Sequence, residues 1–121
     1  MDINILQPAI YNIAIERGTS YSPLQFICYD AGRIIDLTGY IPHAHVRLTP
    51  VGTILMDLHP VIVDYPGGMI QIGEFTSTET LTFQLITGVW SLLLETSDND
   101  WQPDLVTGTF TITDNITRNE P

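Results

Sequence analysis

Apolar and polar residues alternate with a period of two along most of this chain, and the pattern is densest in two runs toward its C-terminal end. From Gly88 to Glu95, Trp90, Leu92 and Leu94 share one parity. From Leu105 to Thr113, Val106, Phe110 and Ile112 do, separated by Thr109, Thr111 and Thr113. Side chains alternate across a strand, so each run predicts a strand that buries one face. Leu93 breaks the alternation and points to a central strand partly covered on its second side. The polar stretch Ser97-Asp98-Asn99-Asp100 joins the runs into a β-hairpin whose core anchors are Trp90 and Phe110.

Similar rows fill the upstream half. Met1 to Pro8 carries Ile3, Ile5 and Leu6 but ends at a proline that interrupts strand pairing, so residues 1–8 form an edge strand or an arm; the arm is the assignment adopted. Tyr11, Ile13 and Ile15 mark the first secure strand, from Ala9 to Glu16, and Arg17-Gly18-Thr19-Ser20 turns the chain. Leu24, Phe26 and Cys28 share a face of the next, and Asp30-Ala31-Gly32-Arg33 is a compact hairpin signal. In Ile35 to Tyr40, Asp36 and Thr38 can satisfy local backbone donors while Gly39 permits a bend.

From Tyr40 to Thr49, Tyr40, Ala44, Val46 and Leu48 face inward and His43, His45 and Arg47 outward, with Pro42 as an interruption. Beyond the turn Pro50-Val51-Gly52-Thr53, Ile54, Met56 and Leu58 are predicted to face the core opposite Leu55, Asp57 and His59. Short strands at Val61 to Tyr65 and Met69 to Ile72 flank Pro66-Gly67-Gly68. Thr78 to Leu85 fits two periods: Leu81, Phe83 and Leu85 alternate, yet Leu81 and Leu85 also lie one helical turn apart, with Ser77 or Thr78 to cap and Glu79 in the first turn. A short helical turn is the reading adopted.

Short strands at close spacing with turn residues between them predict an all-β fold, an immunoglobulin-like β-sandwich of about seven or eight strands with one short helical turn. The domain spans 9–113, between the N-terminal arm and a C-terminal tail over 114–121 in which the pattern is lost. A length of 121 residues suits one such domain, and 44% hydrophobic residues against 15% charged suffice for a core.

Charge narrows the partners. Fourteen acidic residues face four arginines and no lysine, giving a net charge of −10. Duplex nucleic acid and anionic membranes, both bound through cationic side chains, are excluded as partners on this balance. The single cysteine, Cys28, cannot form an internal disulfide, and its apolar strand predicts a buried structural thiol. Met1-Asp2 opens without the apolar stretch of a signal peptide, and no run is long enough to span a bilayer.

Candidate chemistry is sparse. His43 and His45 lie two apart on one strand face, with His59 as a third imidazole, but no second ligand motif supports zinc. Asp98-Asn99-Asp100, with Glu95 and Asp104, is rich in oxygen yet lacks the EF-hand repeat and glycine, and reads as a solvated hairpin tip. No nucleophile elbow, glycine-rich phosphate loop or Cys-x-x-Cys occurs. Asn115-Ile116-Thr117 matches a glycosylation acceptor, and Trp101 could offer a stacking platform for sugar. No catalytic, cofactor or metal site is predicted, and no enzymatic activity.

The order of motifs carries a resemblance. Arg17-Gly18-Thr19, Asp30-Ala31-Gly32, the string Ile35-Asp36-Leu37-Thr38-Gly39-Tyr40 and Ala44-His45-Val46-Arg47 come first. Gly52 to Leu58, Gly88 to Glu95, Gly108 to Thr113 and Ile116-Thr117-Arg118 follow. Together they resemble the small immunoglobulin-like tail proteins of bacteriophages, similar to the N-terminal domain of baseplate upper proteins. The family's acidic residue after the first glycine is replaced by Thr19-Ser20.

The resemblance implies a non-enzymatic virion component made in the host bacterial cytoplasm, an adaptor linking tail or baseplate to fibre or receptor-binding proteins in a symmetric multi-copy assembly. Gly39 and Gly108 are assigned with Trp90 and Phe110 as core anchors. Exposed edges and terminal segments would make the contacts, through Ile3, Ile5 and Leu6 at one end and Ile116 and Arg118 at the other. The alternative from another class is a carbohydrate-binding β-sandwich module using Trp101.

Overall fold

The computed structural model describes residues 1–5, 7–96, 98 and 104–114. Within them the chain forms β1 (Asp2–Asn4), β2 (Ala9–Ile10), β3 (Ile13–Glu16), β4 (Leu24–Asp30), β5 (Arg33–Ile34), β6 (Tyr40–Arg47), β7 (Ile54–Asp57), β8 (Val61–Asp64), β9 (Met69–Ile72), α1 (Ser77–Leu81), β10 (Ile86–Thr96) and β11 (Val106–Thr113). One sheet has the order β1-β4-β9-β8, with β5 against β4; the other runs β2-β11-β10-β6-β7, with β3 also on β11. This is the A-B-E-D sheet against the G-F-C sheet of an immunoglobulin-like sandwich. The strands outnumber the expected seven or eight because the N-terminal strand is divided into three and β5 has only two residues.

Inward-facing residues of both sheets form one core. Ala44, Val46, Trp90, Leu92, Leu94, Val106, Phe110 and Ile112 come from one sheet, and Ile3, Phe26, Cys28, Ile70 and Ile72 from the other. Phe26 meets Trp90 at 6.2 Å between ring centroids, and Tyr11 meets Phe26 edge-on at 6.1 Å. Such aromatic pairs add specific geometry to their large apolar burial. β10 lies between β11 and β6, which explains why Leu93, on its outer side, is half-buried.

The N-terminal strand binds the two layers together. β1 runs parallel to β4 in one sheet, whereas β2 and β3 run parallel to β11 in the other. Between β2 and β3 the ladder breaks at Tyr11 and Asn12, where the backbone crosses directly over Gly108; a Cβ on Gly108 would collide with the Tyr11 carbonyl. That carbonyl accepts a hydrogen bond from the Trp90 indole Nε1 at 2.7 Å, while Asn12 Oδ1 accepts from the Thr109 N–H at 3.0 Å. The polar groups released by the break are thus satisfied, as buried backbone requires.

Five expectations need correction. Residues 1–5 are not part of an arm outside the domain: β1 is a sheet strand, Ile3 is only 2% exposed, and half-buried Ile5 donates its N–H to Tyr29 O at 2.9 Å. Pro8 falls where the chain changes sheets, so it removes no ladder bond. Pro42 does not interrupt β6, because β7 pairs with that strand only from His45 onward and leaves one side of Pro42 unpaired. Leu48 lies beyond the end of β6 and is exposed.

Ile54 also faces outward, since a register shift between Val46 and Arg47 inserts Leu55 and reverses the parity. The helical turn is capped one residue earlier than expected, by Thr76, in a capping box with Glu79. Its buried member is Thr80, not Leu81, and the Thr80 hydroxyl donates to Thr19 O at 2.6 Å while accepting from Gly18 N–H at 3.0 Å.

The crossing over Gly108 generates a stability prediction. Gly108→Ala should cost about 3 kcal/mol, because neither backbone can retreat. Trp90→Phe should cost about 1–3 kcal/mol by leaving the Tyr11 carbonyl unpaired in addition to lost packing. Urea unfolding followed by circular dichroism measures both, and a Gly108→Ala protein as stable as the parent would refute the crossing.

Candidate interaction surfaces

Outward parity on β2, β11, β10 and β6 brings Ile10, Thr107, Thr109, Val89, Ser91, His45 and Arg47 onto the outer face of one sheet. With Pro50 and Asp104 they line an open groove of about 490 Å³. The Arg47 guanidinium donates to the Gly52 carbonyl, closing the turn between β6 and β7 and fixing Pro50 at the rim. Trp90 also lines the groove, from within the core, where its side chain is buried.

The histidines of β6 are paired with carboxylates. His43 Nε2 lies 2.9 Å from Glu95 Oε1 across to β10, and His45 Nε2 lies 3.6 Å from Asp57 Oδ2 on β7. Asp57 Oδ1 accepts from the His59 N–H at 2.8 Å and sits 3.6 Å from its Nδ1. His43 and His45 stand 6.0 Å apart as ring centroids. Each imidazole therefore works as a cross-strand or local clasp, and among the described residues no group of three or more His, Cys, Asp or Glu is placed to hold a metal ion.

Cys28 is fully buried between the sheets, and burial pushes its thiol up to about 11. At neutral pH it is a thiol, not the thiolate that nucleophilic chemistry requires. Asp36 is held below the ordinary carboxylate range by hydrogen bonds from the Thr38 hydroxyl and backbone N–H. This fixes the bend that ends at Gly39, which is exposed and so serves the turn and not the core as expected; its φ of 87° lies in the left-handed region.

Opposite the N-terminal strand, both sheets end in open edges, β7 and β8. Each has one irregularity that leaves an aliphatic residue without a partner: Leu55 between Ile54 and Met56, and Val63 between Ile62 and Asp64. Sequence reasoning missed these edges, although three consecutive aliphatic residues in a short strand, Ile54-Leu55-Met56 and Val61-Ile62-Val63, were the signal. Of the residues expected at interfaces, Ile3 is in the core and Ile5 packs against it. Leu6, Ile116 and Arg118 lie outside the described residues, as do Trp101, Asn115 and most of the acidic loop; Glu95 and Asp104 are described.

Two stacked sheets, a sheet-switching first strand and two free edges on one side define an immunoglobulin-like β-sandwich domain. Among solved structures, the chain is similar to the N-terminal domain of phage TP901-1 ORF48, with a TM-score of 0.55 and 12% identity over 93% of this chain and 94% of that one. At that identity the likeness is one of fold. No family model and no curated protein matches the chain.

Buried Cys28 predicts a pH response. Unfolding returns the thiol to its ordinary value near 9, so the unfolded chain releases its proton first and stability falls as pH rises from about 9 through about 11. The Tyr21 hydroxyl, raised by burial and by neighbouring Tyr11, acts in the same direction. Denaturation midpoints across this range should decline, and Cys28→Ala should flatten the decline without removing it. An equal slope in both proteins would show that the thiol is accessible in the native state.

Proposed function

We propose that this protein is a non-enzymatic structural component of a bacteriophage virion, an adaptor that joins tail or baseplate to fibre or receptor-binding proteins. The observation that carries this reading is the fold shared almost end to end with a domain of a phage protein. The motif order from Arg17 to Arg118 supports it independently, as does a surface whose open features are sheet edges and a sheet face. Net charge of −10 directs the domain toward protein partners and away from nucleic acid and membrane. In this role the chain is made in the host bacterial cytoplasm and assembles in several symmetric copies.

Mass spectrometry of purified particles, with antibody labelling viewed by electron microscopy, tests the proposal. The chain should be present in particles at several copies and lie at the tail. Its absence from particles that infected cells release, while the lysate retains it, would overturn the reading.

A further inference from the structure

We infer that the side of the sandwich formed by β7 and β8 is a side-chain docking strip for a protein partner that presents aliphatic residues ringed by lysine and arginine. This inference rests on the virion role above and names the surface and the partner's chemistry. The N-terminal strand forms the opposite edge of both sheets, so among the described residues β7 and β8 are the edge strands of this side, and the short connection Leu58-His59-Pro60 keeps the end of β7 near the start of β8. Their exposed side chains are aliphatic: Leu55 at 43%, Ile54 and Val63 at 48%, Val61 at 53%.

The register shifts decide how the strip is used. An uninterrupted edge would offer its backbone as a template for another strand, and a bulge blunts that pairing while aiming the extra side chain outward. Here both edges are bulged, and both extra residues, Leu55 and Val63, are aliphatic. Contact through side chains follows in place of strand addition.

Charge selects the occupant. β7 ends at Asp57 and β8 at Asp64, both exposed, and neither strand carries an arginine in a chain without lysine. A second copy would set this acidic rim against its like at −10 per chain, which disfavours it, whereas a basic partner gains on both counts.

The lack of lysine gives a specific test. Treating purified virions with a carbodiimide condenses a carboxylate with a contacting amine, losing one water, and an amide to lysine must then come from a different protein. Lysine amides at Asp57 or Asp64 are expected. Amides at other carboxylates of the chain but at neither of these, or an amide from either to the Met1 α-amine of a second copy, would overturn the inference. In parallel, Leu55→Glu with Val63→Glu should lower the chain's content in particles about tenfold, with far-ultraviolet circular dichroism and melting temperature unchanged because both positions are exposed. Wild-type incorporation of that variant would also overturn it. Absence of the unaltered chain from particles would instead sink the virion reading itself.

Discussion

The arrangement depends on a close approach between two backbones. Having changed sheets near Pro8, the first strand continues along β11 by passing over Gly108, where hydrogen is the only side chain that fits. The crossing is held by the Trp90 indole, whose N–H reaches the Tyr11 carbonyl from inside the core. One large side chain therefore fills the space between the layers and satisfies the polar group that the crossing exposes. The parallel pairing of β2 and β3 with β11 depends on it.

The other side of the sandwich ends in β7 and β8, and the surface chemistry follows. β7 and β8 are free edges, yet the register shift in each prevents a clean row of backbone donors and acceptors. Meanwhile the histidines of β6 are engaged with Glu95 and Asp57, so polar side chains on the outer sheet face are tied to one another across strands. Aliphatic edges beside acidic strand ends would suit a molecule that holds other proteins, in agreement with the adaptor role proposed above.

Much of the fold was legible in the residues. The rows ending in Trp90-Ser91-Leu92 and Phe110-Thr111-Ile112 specified the central hairpin, since one buried face suffices to fix parity. Asp30-Ala31-Gly32-Arg33 specified the turn between β4 and β5, where Ala31 and Gly32 both take positive φ. The helical turn was legible through Glu79, although its cap came from Thr76. The candidate surfaces were less so, because an edge is defined by what fails to pair with it and local sequence does not record that. Ile3 was misplaced for the same reason: an apolar row ended by Pro8 looks like an arm until a partner strand, β4, is supplied.

By itself, then, the sequence determined the alternating rows, the turns between them, the buried thiol at Cys28 and an acidic surface without lysine. These follow from nearest neighbours and from composition. Tertiary structure alone decided that Ile3 enters the core, that Ile54 and Leu55 turn outward, and that Gly108 must stay bare beneath Tyr11. Each of those outcomes is set by strands distant in sequence meeting in a particular register, and a shift of one residue in that register exchanges the inside of a strand for its outside.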